Sequence, residues 1–194
     1  IGPEKVFGTS IIPDDTNSDL LPIIYPIKDY DFFVPQGHKK DDDKPKFEDI
    51  PESLRIAVKC FIVTCAIRIA RGQGTRHNSM LIHVSRFQMW QNHIKELVEN
   101  LFNYYKHEIE ASDTAIYEEF RKILEDDTAN YKSYKTITNE IKESKFSDID
   151  KNLSVHSWEE IKPQLFKAVQ KIEVKSINGT SGDCLTYYEN EKNG

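Results

Sequence analysis

The sequence predicts an α/β fold, a parallel sheet flanked by helices with a helical insertion in one crossover. Three observations predict it. Met80-Leu81-Ile82-His83-Val84 is a short apolar run bounded by turn residues, the pattern of a strand buried on both faces. Residues 171–177 alternate, with Ile172 and Val174 on one side, and lead into the turn pair Asn178-Gly179 as a second strand. Between the two lie a capped helix, a helical excursion and another helix, which is the order of a βαβ unit with an enlarged crossover.

The elements follow in chain order. Residues 1–50 hold Pro3, Pro13, Pro22, Pro26, Pro35 and Pro45 with short apolar runs between them, so they read as an extended segment packed on the core. Within it, 39–49 alternates blocks of charge without periodicity, the pattern of a mobile solvated loop. Asp49, Pro51 and Glu52 form a helix start, with Asp49 as the capping carboxylate. That helix runs to about Arg71, where Gly72 and Gly74 stop it. It is apolar on nearly every face and must be packed on several sides.

After the 80–84 strand, Ser85 and Gln88 form a capping box for a helix with apolar residues at spacings of three and four, from Trp90 through Tyr105. Residues 113–125 are a further amphipathic helix, and 128–151 is polar with weak helical signals. Together 112–152 reads as a helical insertion of low stability. Ser157 and Glu160 open another helix to about Gln170. The remainder, 51–194, is one α/β domain fragment.

The composition admits one sizeable core in 194 residues: 38% hydrophobic, 30% charged, mean hydropathy −0.60. Three cysteines in no framework fit a reducing, cytoplasmic setting. The apolar stretch 56–70 is shorter than the roughly 20 residues a span needs and carries Lys59 and Arg68, so no membrane partner is expected. Ile1 at one end and the polar stretch 188–194 at the other read as cut ends of a piece from a larger protein.

The net charge of −6 hides an asymmetry. From Ser53 to Lys95 there are Arg55, Lys59, Arg68, Arg71, Arg76, Arg86 and Lys95, and no Asp or Glu. Such a stretch in an acidic protein points to an anion-facing surface, unless those cations neutralise neighbours in the fold. Ligands of open parallel sheets sit beyond the carboxyl ends of strands, where a helix N-terminus attracts phosphate. Arg76 before the strand, with Ser85, Arg86 and Gln88 after it, are therefore the candidate nucleic-acid contacts. The alternative is that Ser85 and Gln88 only cap the helix.

No catalytic group is assigned. Glu173-Val174-Lys175 fits half of a metal-dependent nuclease signature, which leaves Glu173 and Lys175 as the sole candidates, with Asp148, Asp150 or Asp183 as the partner carboxylate. No metal-ligand spacing is visible, and His83 reads as a hydrogen-bonded core histidine. Gly72-Gln73-Gly74-Thr75 lacks the lysine of a phosphate loop, so the fragment is expected to hold no cofactor of its own.

Pro51-Glu52-Ser53-Leu54 entering a long apolar helix, followed by His77-Asn78-Ser79-Met80-Leu81-Ile82-His83-Val84-Ser85-Arg86, resembles the Z-one domain. Ile1-Gly2-Pro3-Glu4, Phe7-Gly8 and the strand ending near Asn178 support the resemblance. An endonuclease role is attributed to that family, in bacterial and phage-related, ATPase-linked proteins similar to superfamily-two helicases or restriction systems. The resemblance implies that the sheet is part of the second RecA-like half of a helicase. It also implies ATP and Mg²⁺ for the parent protein, and DNA and an ATP-binding half or partner ATPase as partners. The expectation is a nucleic-acid-engaging fragment without a complete active site. The alternatives are a metal-dependent endonuclease domain and a protein-interaction module.

Overall fold

The computed structural model describes residues 27–129, 131–144, 147–148 and 153–177. A short 3-10 turn at Phe47–Asp49 precedes five helices: α1 Glu52–Ala70, α2 Gln88–Glu110, α3 Thr114–Glu125, α4 Tyr134–Glu143 and α5 Trp158–Val169. There is no strand among the described residues, so the expected α/β fold with a partial RecA-like parallel sheet is wrong. Residues 80–84 and 172–177 enter no ladder. An apolar run reports only that a segment is extended and partly buried, and a strand also needs a hydrogen-bonding neighbour.

α1 is the central element, packed chiefly against α5 and also against α3, as its all-round apolar surface requires. Ile62 and Ala66 on α1 are fully buried, with Leu101 on α2, Phe120 and Leu124 on α3, and Ile161 and Leu165 on α5. α3, expected within an insertion, thus contributes to the same core as α1. α4 is short, packs on α3 and buries only Thr138 fully. Residues 27–50 lie against this bundle, with Phe33 and Ile50 buried in its core. The 1–26 part of the proline-rich segment lies outside the described residues.

The start of α1 differs from expectation in an instructive way. Asp49 accepts the Lys46 N–H at 2.6 Å and closes its own 3-10 turn. Asp29, far away in sequence, accepts the Ser53 N–H at 2.9 Å instead. Burial alone would raise the Asp29 pKa, but hydrogen bonding from Ser53 outweighs it and holds the carboxyl below its ordinary range.

Both long helices end in the same motif. At the end of α1 the Gln73 N–H donates to the Arg68 carbonyl and the Gly72 N–H to the Ile69 carbonyl, with Gly72 at φ +74°. At the end of α2 the Asp113 N–H donates to Glu108 and the Ser112 N–H to Ile109, with Ser112 at φ +57°. Asp113 then accepts the Ile116 N–H at 2.9 Å, so the stop of α2 is also the start of α3. The predicted capping box of α5 is present, Glu160 accepting the Ser157 N–H at 2.8 Å.

Candidate functional site

The acid-free stretch from Ser53 to Lys95 spends most of its cations inside the fold. Arg55 donates to the Ile50 and Phe47 carbonyls. Lys59 is buried, 3.0 Å from Glu119 of α3 and over the Tyr105 ring. Arg71 donates to His156 Nε2 at 3.2 Å and to the Tyr134 hydroxyl at 2.8 Å, tying the end of α1 to α4 and to the segment before α5. Lys95 pairs with Glu99. Arg76 and Arg86 remain exposed, with no carboxylate within ion-pair distance among the described residues. Lys59 and Lys95 are thus neutralised by carboxylates, Arg55 and Arg71 are held by neutral groups of the fold, and Arg76 and Arg86 stand exposed on the loop between α1 and α2.

That loop is ordered by its inner face. From 77 to 85 it runs without turn or bend and without a positive φ, so it is extended. Its side chains alternate. Ile82 and Val84 pack on the core, Asn78 donates to the Cys65 sulfur and Ser85 is buried. Ser79, Leu81 and His83 point outward, and Leu81 is 88% exposed. The expected core position of His83 is therefore wrong: one face is buried, not two.

Ser85 is already engaged. His38 Nδ1–H donates to the Pro35 carbonyl at 3.0 Å, which leaves Nε2 as the acceptor for the Ser85 hydroxyl at 2.7 Å. The same oxygen accepts the Phe87 N–H at 3.1 Å. The His38 ring is held between Phe87 and Trp90, and the Trp90 Nε1–H donates to the Lys39 carbonyl. His93 also reaches the Pro45 carbonyl. Residues 39–49, expected to be a mobile loop, are held by α2 at Lys39 and Pro45. No local signal in the sequence pairs His38 with Ser85.

α2 begins at Gln88, with Phe87 as its N-cap, no side-chain cap and no acid in its first turn. The predicted Ser85–Gln88 capping box is absent. Arg86 lies over the Phe87 ring at 4.9 Å, and both Arg86 and Gln88 are exposed. Of the four candidate contacts, Arg86 and Gln88 thus flank a helix N-terminus, Arg76 lies at the other end of the extended run, and Ser85 faces inward.

Glu173 and Lys175 pair with each other at 3.0 Å beside α2. No group of three or more His, Cys, Asp or Glu side chains able to hold a metal occurs among the described residues. Asp148 is exposed, and Asp150 and Asp183 lie outside the described residues. A cleft of about 420 Å³ is lined in part by Glu52, Arg55, Lys59, Tyr104, Tyr105 and Glu119. Lys59 lies there within ion-pair distance of Glu52 and Glu119, and burial pushes the Tyr105 phenol far above its ordinary value. Burial likewise pushes the Cys60 thiol up to about 11, an inert sulfur.

No helix among the described residues is long and apolar enough to cross a membrane. No curated protein and no solved structure matches the chain. The Z1 domain family model matches residues 53–194, most of the chain and the whole of the helical bundle from the first turn of α1, and the chain belongs to the Z1 domain family.

Proposed function

We propose that this Z1 domain is a non-catalytic docking module, which holds the ATP-binding polypeptide implied by the resemblance. One observation carries the reading. Residues 78–84 form an extended run whose main chain makes no hydrogen bond to the backbone among the described residues, while Leu81 stands 88% exposed at its centre. An added strand would pair this main chain and cover Leu81, and nothing among the described residues does either. The residues present do not fit a nucleotide site. Gly72-Gln73 closes α1 and opens no phosphate-binding helix, and on this reading ATP and Mg²⁺ are assigned to the partner.

A second reading, contact with a nucleic-acid backbone, rests on Arg76, Arg86 and Gln88 around the uncapped start of α2. Magnitude decides between the two. Each phosphate contact contributes a salt slope of about 0.9, so two free arginines support only weak binding that changes about tenfold between 50 and 200 mM salt. A DNA-engaging role therefore belongs to the assembly more than to this surface.

The test is binding of the domain to the parent's ATP-binding polypeptide by calorimetry, with Leu81→Asp as the variant. The expected result is loss of at least tenfold in affinity. An unchanged affinity sinks the docking reading. Tight, salt-steep binding of an oligonucleotide that Arg86→Ala abolishes would put the nucleic-acid reading in its place.

A further inference from the structure

We infer that residues 78–84 are a recognition strand that binds an extended, carboxylate-bearing segment of a partner polypeptide by strand addition; this rests on the docking reading. The geometry is that of a strand already laid on its core. Period-two alternation puts Asn78, Ile82 and Val84 inward and Ser79, Leu81 and His83 outward. The inner face is fixed, so the register of any added strand is set by this one. Neither main-chain edge is paired among the described residues, since no backbone group from 78 to 84 is a donor or acceptor in any backbone pair there. An open edge is the template that strand addition uses, with main-chain bonds supplying affinity and the outward side chains supplying choice of partner.

Charge selects the occupant. Arg76 and Arg86 bracket the strand, exposed and without a carboxylate partner among the described residues, and the chain carries no Asp or Glu from Ser53 to Lys95. A second copy of this chain would bring the same arginines and histidines against their equals, which disfavours self-pairing. A segment with β-branched residues at its centre and glutamates or aspartates at its ends satisfies both the apolar row and the flanking cations. A nucleic acid would answer the arginines but would leave Leu81 and the open amides uncovered.

The probe is a synthetic peptide of alternating valine and threonine with two glutamates at each end, added to the intact domain while amide exchange is followed residue by residue. Exchange is expected to slow tenfold or more at every second amide between Ser79 and Val84. The same peptide with lysines for glutamates, or N-methylated at every amide so that neither of its edges can donate, is expected to give no slowing. Leu81→Asp, at a position too exposed to disturb folding, should abolish the effect. Equal protection by the lysine peptide overturns the charge assignment, and equal protection by the N-methylated one overturns strand pairing. Slowing that grows with protein concentration and needs no peptide makes the occupant a second copy and overturns the proposal. No slowing with any peptide, while Leu81→Asp still breaks the complex with the ATP-binding polypeptide, rejects strand addition and leaves the docking reading standing.

Discussion

The two junctions that leave the long helices begin alike and end differently. α1 and α2 both stop in a left-handed residue with the same pair of closing hydrogen bonds. After α2 the chain takes one step, and Asp113 both closes that turn and caps α3. After α1 the chain runs out from 73 to 87 before α2 begins, with an outward leucine and a stretch, 78–84, that makes no backbone pair among the described residues. In the α2–α3 junction the amides of Ala111, Ser112 and Asp113 and the Asp113 carboxylate all have local partners. The α1–α2 junction is satisfied on one face only, and the open face is where a function has room to act. A Z1 domain that only needed to connect two helices would need no such excursion.

The sharpest way to break this comparison is to test the two faces of the open junction against each other. Ile82→Asp buries a charge against the core and should cost about 2–3 kcal/mol in urea unfolding, whereas its neighbour Leu81→Asp should stay within about 0.5 kcal/mol. Similar losses at both positions would mean that the alternation is not real. Next in size is the closed junction. Asp113→Ala removes the α3 cap and should lower stability by about 1 kcal/mol, seen as a lower denaturation midpoint at unchanged slope.

The left-handed positions should respond with opposite signs. Gly72→Ala adds a Cβ to open space but strains φ +74°, so it should destabilise by about 1 kcal/mol. Ser112→Gly relieves the same strain at φ +57° and should stabilise by up to about 1 kcal/mol. A destabilised Ser112→Gly would show that the serine side chain contributes something at the turn beyond its backbone.

The smallest expected effect is on pH dependence, and it reads the anchor of the open junction. Burial, then the charge of Arg71, hold the His156 pKa below its ordinary value, against the opposing pull of Glu160. The folded protein therefore binds this proton more weakly than the unfolded chain. The contribution is complete above the unfolded value of about 6.5 and is lost as pH falls from there through the lower folded value. Unfolding midpoints measured between about pH 7 and pH 5 should fall more in the native chain than in His156→Gln. Parallel curves would remove His156 from the account.

The sequence was most legible where a segment carries its own answer. The spacing of apolar residues in α2 and α3, the Ser157–Glu160 box of α5 and the glycine after α1 are local devices, and each stands where it was expected. α4 was faint because a short helix that buries little needs little pattern. The 80–84 run was read as a strand buried on both faces, but it is an extended run buried on one face and paired with no strand among the described residues. A strand is a relation between two segments, and its apolar pattern is equally compatible with a sheet and with a single extended run on a helical bundle. The same limit explains why Glu173 and Lys175, adjacent in pattern to a nuclease centre, are found paired with each other.

By itself, then, the chain determined its long helices, the stop of α1 and the start of α5, since these follow from backbone hydrogen bonds and periodicities within a few residues of one another. Only the tertiary structure decided that Asp29 and not Asp49 accepts the Ser53 N–H at the start of α1, that His38 occupies Ser85, and that Lys59 of the basic stretch is buried against Glu119. Those outcomes depend on which distant groups are brought within about 3 Å, where a hydrogen bond forms or fails. No periodicity along the chain encodes that distance.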